Sequence, residues 1–343
     1  MDLTEGGNSA MRPGPTVSSI NVLSSAPVAV TATKYSSYHD ILAEKITDQN
    51  IALRANQEPR IDVKAEDLSE ISDIGQGNSG SVKKVEHVPS GRIMAKKAVL
   101  IDATPSARKQ ILRALQILYT CNSPHIVSFY SAFAQDANIC ICTEFMDKGS
   151  LDTIYKMTGA IDVDVVAKIA LAVLEGMTYL YEVHHIIHRD IKPSHILINS
   201  QGQIKVCDLG TSGELIKSVA DTFIGTGVYM SPERIQGSQY TVKADVWSLG
   251  VTLVELALGR FPFSDVDTGG TTSILDLLQH IVNGPAPRLT PEGRFPKEVH
   301  DFVDACLIKD PDLRLAPTDL TKLAWMNEAR VKDVDLEGWV RTK

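Results

Sequence analysis

Two short segments near the middle of the chain carry side chains that could do chemistry together. The first reads His188-Arg189-Asp190-Ile191-Lys192-Pro193-Ser194-His195, and the second reads Lys205-Val206-Cys207-Asp208-Leu209-Gly210. Gln201-Gly202 between them predicts a turn, so a short hairpin would bring Asp190 and Asp208 to one cleft. Two carboxylates and a lysine suit a magnesium-bound nucleotide and a hydroxyl nucleophile. These residue types therefore indicate a site that handles phosphate.

The composition is that of a globular protein with room for two lobes. The chain has 343 residues, of which 43% are hydrophobic, and a formal net charge of -8. The acidic balance argues against a nucleic-acid binder, and no stretch is long enough for a membrane span. The N-terminal residues lack the pattern of a secretory signal. The five cysteines include no close CxxC pair, which argues against a disulfide framework or a zinc site. We therefore expect a cytoplasmic protein, with the nucleus as a further location.

The elements that must position these residues are predicted as strands first and helices afterwards. Residues 1–34 are rich in small and polar residues and are expected to be disordered, and a helix over Tyr38–Leu53 would either cover the domain or regulate it. Strands are predicted over 68–74, 92–99, 125–133 and 138–144, with a further strand after the glycines at 75–80. Helices are predicted over 104–118, 163–183, 242–257, 273–282, 298–307 and 317–324, with a new helix start at Ser150. This order predicts a two-lobed α+β fold.

A glycine-rich segment follows the first predicted strand. It reads Gly75-Gln76-Gly77-Asn78-Ser79-Gly80-Ser81-Val82, and glycines at this spacing let a backbone approach phosphates closely. Dinucleotide sites share the pattern, but there a helix follows directly. Here a strand and a turn at Pro89-Ser90-Gly91 follow, which disfavours that alternative.

The next strand carries two adjacent lysines. Because successive side chains of a strand point to opposite faces, only one of Lys96 and Lys97 can reach the cleft. The other is expected to be solvated.

In this order the motifs resemble a eukaryotic protein kinase over about residues 67 to 330, and within that superfamily a MAP kinase kinase similar to the fungal ones of mating and filamentation pathways. The finer resemblance rests on the segments Lys109-Gln110-Ile111-Leu112-Arg113, Cys121-Asn122-Ser123-Pro124, Glu144-Phe145-Met146-Asp147-Lys148-Gly149-Ser150-Leu151-Asp152, Ser212-Gly213-Glu214-Leu215-Ile216 and Tyr229-Met230-Ser231-Pro232-Glu233-Arg234-Ile235. It implies a β-rich N-lobe with one helix at 67–146 and a mainly helical C-lobe at 147–330. Residues 1–34 and 35–66 would precede the domain as a disordered extension and a covering or regulatory segment. A tail at 331–343 would follow, in which Val334–Trp339 resembles a segment that docks an upstream activator.

The resemblance also implies catalytic and nucleotide-binding roles. Asp190 would accept the proton of the substrate hydroxyl, and Lys192 would steady the transferred phosphoryl group. Lys97 stands in the place of the kinase strand lysine and would bind the α- and β-phosphates, which leaves Lys96 as the solvated lysine. Asp208 would hold Mg²⁺. The implied ATP-binding residues are Gly75, Gln76, Gly77, Asn78, Ser79, Gly80, Val82, Ala95, Lys97, Thr143, Glu144, Met146, Leu197 and Asp208.

A regulatory segment is implied after the second aspartate. Ser218 and Thr222 fit the spacing of activation-loop phosphorylation sites, and phosphates there could order the loop against Arg189.

The resemblance assigns supporting roles to residues on either side of that segment. Glu233 and Arg314 would form a structural ion pair, and Asp245 would support the catalytic loop. Leu209 stands where the kinase pattern has Phe and would still pack, while Cys207 is expected to be a small unreactive residue.

Two positions depart from the kinase pattern. Ala114 stands where a helix glutamate normally pairs with the strand lysine, so Lys97 is expected to have no fixed counter-ion. His195 stands where the pattern has Asn. An imidazole can ligate a metal, but magnesium prefers oxygen, so His195 is a metal-ligand candidate beside Asp208 that argues against a two-metal geometry.

The resemblance implies an ATP- and Mg²⁺-dependent dual-specificity kinase. Its substrate would be the activation loop of a downstream MAP kinase, and an upstream MAP kinase kinase kinase and a scaffold protein would be further partners. Ala114 and His195 motivate the alternative of a weakened pseudokinase that acts as a scaffold or decoy. A small-molecule kinase fits less well, because the Ser231-Pro232-Glu233 segment suits a protein substrate.

Overall fold

The chain folds into a β-rich lobe followed by a helical lobe, as the sequence predicted. The computed structural model describes residues 63–77, 80–100, 105–136, 138–209, 227–263, 273–291 and 293–343. The predictions of disorder over 1–34 and of a helix over Tyr38–Leu53 lie outside these residues. None of the described helices combines the length and apolar character that crossing a bilayer requires.

The N-lobe is built on an antiparallel sheet with the strand order β1-β2-β3-β5-β4. Its strands are β1 (Leu68–Gly77), β2 (Gly80–His87), β3 (Arg92–Leu100), β4 (Phe129–Gln135) and β5 (Asn138–Glu144). Helix α1 (Pro105–Thr120) packs through Leu115 and Tyr119 against Phe129 and Ile139 on β4 and β5. The opposite face of the sheet packs against Val63, at the start of the described chain.

The C-lobe is organised around two buried apolar helices. Its helices are α2 (Leu151–Thr158), α3 (Val163–His184), α4 (Pro232–Ile235), α5 (Lys243–Leu258), α6 (Ile274–Asn283), α7 (Lys297–Cys306), α8 (Pro317–Leu320), α9 (Ala324–Val331) and α10 (Leu336–Arg341), and its two-stranded sheet is β6 (Ile196–Ile198) with β7 (Ile204–Val206). Helices α3 and α5 form one core with β6 and β7. A helix that is apolar on all sides is stable only when it is buried, so α5 lies inside the lobe.

Two predicted elements are placed differently in the structure. The strand predicted from His125 begins only at Phe129, because the preceding residues pair with the other lobe: Val127 N–H donates to the Val206 carbonyl at 3.0 Å, and Val206 N–H donates to the His125 carbonyl at 2.8 Å. The helix predicted over 317–324 is two short helices, α8 and α9.

The C-terminal segment packs on the C-lobe. The Asp335 carboxylate caps α10 by accepting from Gly338 N–H at 2.7 Å. Val340 is fully buried, while Leu336 and Trp339 are half-buried against the main core. The side of α10 that carries Leu336 lies against the turn between β6 and β7 at Gly202, which has a φ of 76°. Activator docking by this segment stays a prediction.

Candidate active site

Asp190 is buried, and only one of its two carboxylate oxygens has hydrogen-bond partners in the described part of the chain. Lys192 Nζ lies 3.0 Å from Asp190 Oδ2, and His195 Nδ1 lies 3.3 Å from the same oxygen. Asp190 is 6% exposed, and its Oδ1 has no hydrogen-bond partner among the described residues. A buried carboxylate oxygen without a partner is costly, so it marks a place where a further donor is expected.

The loop that carries Asp190 is hydrogen-bonded to Asp245, a buried acid on α5. The Asp245 carboxylate accepts from His188 N–H at 2.6 Å and from Arg189 N–H at 2.7 Å. Arg189 has a φ of 71°, a strained value that such paired bonds can maintain. Burial raises the pKa of Asp245, and these backbone donors and His188 oppose that rise. The supporting role predicted for Asp245 is confirmed.

The second aspartate meets the strand lysine across the cleft. Lys97 Nζ lies 2.8 Å from both Asp208 oxygens. Burial raises the pKa of Asp208, but Lys97 and His195 outweigh this effect and lower it from 3.8 to about 2. The prediction that Lys97 lacks a fixed counter-ion is therefore wrong. Ala114 does leave α1 without an acid at that position, and the loop acid Asp208 takes its place.

Several predicted ATP-binding residues share one face of the N-lobe sheet. Val82 is the register partner of Lys97, and Ala95 is the register partner of Thr143. Because cross-strand partners and alternate residues point to the same side, these four side chains face the same way. Leu197 is half-buried on β6, between the fully buried Ile196 and Ile198, and so points away from the C-lobe core.

The described part of the glycine-rich segment shows why one glycine is required. Gly80 has a φ of 123°, and a Cβ there would lie 1.9 Å from the Ala98 carbonyl oxygen on β3. Gly75 pairs with Val82, which in turn pairs with Lys97, so the start of the segment lies two strands from Lys97 in the same row of the sheet. Asn78 and Ser79 lie outside the described residues, and for Gln76 and Gly77 only the backbone pairing with Ser81 and Gly80 is described.

Lys96 is not solvated, contrary to the prediction. Its side chain lies on the opposite face of the sheet, is 10% exposed, and places Nζ 2.7 Å from Glu70 Oε1. Lys83, its register partner on β2, contacts the other oxygen of Glu70 at 2.6 Å. Hydrogen bonds from these two lysines lower the pKa of Glu70 to about 2. The acid on β1 was the signal that sequence reasoning missed.

The segment between the lobes is fixed by polar contacts of Glu144. Its N–H donates to the Ser128 carbonyl at 2.8 Å, and its side chain pairs with Lys205 Nζ at 2.6 Å. Met146 is buried, and its carbonyl accepts from Gly149 N–H at 3.0 Å. Thr143, near the end of β5, places its Oγ1 3.5 Å from the Glu144 carbonyl oxygen.

His195 stands between the two aspartates. Its Nδ1 lies 2.9 Å from the Asp190 carbonyl oxygen, and its Nε2 lies 3.6 Å from Asp208 Oδ2. Burial lowers the pKa of the imidazole, although Asp190 and Asp208 oppose that shift. The ring thus lies between the two aspartates, with Nε2 facing the carboxylate to which the resemblance assigns Mg²⁺.

The donor set fits a divalent metal only in part. Asp208 offers the hard oxygen ligands that magnesium prefers, whereas His195 offers nitrogen. In the described part of the chain no three His, Cys, Asp or Glu side chains are grouped to hold an ion by themselves. A metal bound here would need phosphate oxygens of the nucleotide, as Mg²⁺ commonly does.

The neighbouring thiol takes no part in this chemistry. Burial raises the pKa of Cys207 to about 12, so the thiol stays protonated and the prediction of an unreactive cysteine is supported. Leu209, two residues further along the chain, is buried in the main core, which confirms that it packs where the kinase pattern has Phe.

The predicted activation segment is described only at its far end. Ser218 and Thr222 lie outside the described residues. Arg314 binds Glu233 through two hydrogen bonds of 2.8 and 3.0 Å, which confirms the predicted structural ion pair. Arg189, the predicted phosphate ligand, has a buried Nε without a hydrogen-bond partner among the described residues.

One buried polar cluster near this segment was missed by sequence reasoning. Glu255 on α5 accepts hydrogen bonds from Tyr229 at 2.7 Å and from Tyr155 on α2. Burial raises the pKa of Glu255 and of both tyrosines. An acid in the mostly apolar second half of α5 was the available signal, because a buried charge needs partners. The cluster links the start of the C-lobe to the end of the activation segment.

Comparison with known proteins gives a consistent family. The family described as "Protein kinase domain" matches residues 68–326. The chain is 52% identical to the dual specificity protein kinase FUZ7 of Mycosarcoma maydis, over 88% of this chain and 80% of that protein. It is 49% identical to the mitogen-activated protein kinase kinase MST7 of Pyricularia oryzae, over 85% of this chain and 72% of that protein. It is 46% identical to the dual specificity mitogen-activated protein kinase kinase dSOR1 of Drosophila melanogaster, over 80% and 74%.

Proposed function

The chain belongs to the protein kinase family, as a MAP kinase kinase, and we propose that it uses Asp190 to transfer the γ-phosphoryl group of ATP to Thr and Tyr of a MAP kinase activation loop. A dual-specificity kinase of this family takes its signal from a MAP kinase kinase kinase. The single observation that carries the catalytic assignment is the buried Asp190 Oδ1, which lacks a partner among the described residues.

The geometry around Asp190 supports a role as proton acceptor. Lys192 holds Oδ2 at 3.0 Å, and the buried Oδ1 is the carboxylate oxygen that lacks a donor among the described residues, a place that a substrate hydroxyl would fill. In the transfer, the hydroxyl oxygen forms a bond to the γ-phosphorus while the bond from that phosphorus to the bridging oxygen of ADP breaks. The hydroxyl proton passes to Asp190, and Lys192 would offset charge on the transferred group.

The nucleotide would be held mainly by the face of the N-lobe sheet that carries Lys97. Lys97 contacts Asp208 at 2.8 Å, so phosphate binding requires this lysine to exchange a carboxylate for phosphate oxygens. Adenine would bind to the Glu144 carbonyl and the Met146 N–H. The ATP-binding roles predicted for the other residues belong to the same proposal.

Protein kinases of this family use ATP with a divalent metal, and we propose Mg²⁺ at Asp208. A bound divalent ion would neutralise phosphate charge. Asp208 is suited to holding it, because its carboxylate offers the oxygen ligands that magnesium prefers.

Regulation by phosphorylation of Ser218 and Thr222 is part of the proposal. Arg189 supports it, because its buried Nε lacks a partner among the described residues and its guanidinium stacks 5.4 Å from the centre of the Tyr240 ring. A phosphate on the activation segment would supply the missing acceptor.

Three further predictions remain part of the proposal. They are docking of the upstream kinase on Val334–Trp339, binding of a scaffold protein, and a cytoplasmic location with the nucleus as a further one. The half-buried Leu336 and Trp339 support the first, since they keep some surface for a partner. The five cysteines are all free, which fits a reducing compartment.

The pseudokinase alternative rested on Ala114 and His195. Neither substitution removes Asp190, Lys192, Lys97 or Asp208, and the relatives reported above are named as kinases. Catalysis is therefore the better supported function.

The test is direct phosphoryl transfer. The protein with Ser218→Asp and Thr222→Asp, supplied with Mg²⁺ and ATP, is expected to phosphorylate Thr and Tyr of an inactive MAP kinase, and Asp190→Asn in that background is expected to lower the rate by at least about a hundredfold. Mass spectrometry of the substrate identifies the residues modified. An unchanged rate in Asp190→Asn would refute the assignment, and no transfer by either protein would favour the scaffold alternative.

A further inference from the structure

The His195 imidazole has the hydrogen-bonding pattern of a metal ligand. Its Nδ1 lies 2.9 Å from the Asp190 carbonyl oxygen and 3.3 Å from Asp190 Oδ2. Both of these atoms are acceptors, so Nδ1 carries the hydrogen. Histidines that ligate metals commonly donate their other ring N–H to a carbonyl or carboxylate in this way, which fixes the tautomer and aims the remaining nitrogen.

The remaining nitrogen faces a carboxylate at a distance suited to a shared ion. His195 Nε2 lies 3.6 Å from Asp208 Oδ2, which is beyond hydrogen-bond distance. Ligand atoms lie about 2.1 Å from a bound metal ion. Two ligand atoms of the same ion are therefore about 3.0 Å apart when they subtend a right angle at the metal, and about 4.2 Å apart when they lie on opposite sides of it. The observed separation falls inside this range, and both side chains are only about 15% exposed: 14% for His195 and 15% for Asp208.

We propose that His195 Nε2 and Asp208 Oδ2 form a mixed nitrogen–oxygen site that binds a first-row transition-metal ion, such as Mn²⁺, more tightly than the Mg²⁺ assigned to Asp208 above. Imidazole nitrogen favours transition metals, whereas magnesium favours oxygen alone. The inference rests on the proposed function, because phosphate oxygens of the bound nucleotide complete the coordination of the ion.

Two lysines oppose a cation at this position unless a nucleotide is present. Lys97 contacts Asp208 at 2.8 Å, and Lys192 contacts Asp190 at 3.0 Å. The negative charge of the triphosphate draws Lys97 from the carboxylate and adds its own oxygens to the site. Metal binding is therefore expected to depend strongly on nucleotide, and it must be measured with one bound.

The first experiment detects the metal–nitrogen bond without any catalysis. The protein is prepared with natural or ¹⁵N-labelled histidine and loaded with Mn²⁺ and a non-hydrolysable ATP analogue. Pulsed electron paramagnetic resonance is expected to show a directly coordinated imidazole nitrogen whose isotope follows the label, and His195→Asn is expected to remove it. A spectrum without histidine coupling in the wild-type protein would overturn the proposal.

The second experiment measures preference between the two metals. The ratio of Mg²⁺ to Mn²⁺ dissociation constants, with the same analogue bound, is expected to fall roughly tenfold in His195→Asn. The matched control is His185→Asn, which alters an exposed histidine with a φ of 55° that asparagine tolerates. An equal ratio in wild type and His195→Asn would overturn the proposal.

The outcomes separate this inference from the function it rests on. Histidine coupling to Mn²⁺ in a protein that transfers no phosphate would refute catalysis and leave the metal site intact. Transfer without histidine coupling would refute only the metal site.

Discussion

Replacing Lys97 with methionine is expected to destabilise the nucleotide-free protein by about 2–4 kcal/mol at pH 7. The lower value follows from the pKa of Asp208, which Lys97, with a smaller contribution from His195, lowers from 3.8 to about 2 despite burial. Each pKa unit corresponds to about 1.36 kcal/mol. The higher value is typical of a buried ion pair that loses one partner and leaves the other charge unpaired.

The assay is urea unfolding of the wild type, Lys97→Met, Asp208→Asn and the double variant. Lys97→Met leaves a buried carboxylate without its counter-ion, so it should be the least stable of the four, and the double variant should recover most of the loss. Lys83→Met is the matched control. Its ion pair with Glu70 is shorter, at 2.6 Å, but its side chains are 35% and 46% exposed, so a much smaller change is expected.

The pH dependence has a defined sign. Asp208 has a lower pKa in the folded protein than its ordinary value, so its contribution is complete above pH 3.8 and is lost as the pH falls toward about 2. Removing Lys97 lets burial raise this pKa, so the stability difference between wild type and Lys97→Met should shrink as the solution is acidified. A coupling energy below about 0.5 kcal/mol, or an equal effect of Lys83→Met, would refute the conclusion that burial makes this pair strong.

Two further predictions concern the C-lobe. Arg314→Ala should lower the free energy of unfolding by about 3–5 kcal/mol, because it leaves Glu233 buried and unpaired. In urea unfolding, the double variant with Glu233→Gln should recover part of this loss. If the losses of the two single variants simply add in the double variant, the reasoning is contradicted. Gly202→Ala should destabilise by about 1–3 kcal/mol and release the C-terminal helix to proteolysis, because its φ is 76° and a Cβ would lie 2.7 Å from Leu336 Cβ. Gly237→Ala is the control, since its φ is 71° but its Cβ would meet nothing within 4 Å; equal losses would show that the contact with Leu336 does not matter.

The kinase fold could be predicted because its signals are local. Alternation and turn residues predicted the strands around Lys97, and helical spacing predicted α3 and α5 to within about one residue. The missed start of β4 had a non-local cause. Valine is a residue type favoured in strands, but the Val127 N–H donates to the Val206 carbonyl in the other lobe.

The sequence predicted which residues form the candidate site better than it predicted the contacts that those residues make. The sequence identified Asp190, Lys192, Lys97 and Asp208 as the residues of a phosphate site, and the structure brings them to one cleft. The sequence did not predict which acids pair with Lys96 and Lys97. The acids that pair with Lys96 and Lys97 lie 26 and 111 residues away along the chain, and no local pattern connects them.

The sequence by itself determined the family, the order of the elements and the types of side chain available for chemistry. Those properties depend on local spacing along one chain. Only the tertiary structure decided which charges are paired, which oxygen of Asp190 lacks a donor and which nitrogen of His195 faces Asp208. Those properties depend on distances across the cleft and on burial, because exclusion of water decides how strongly two charges interact.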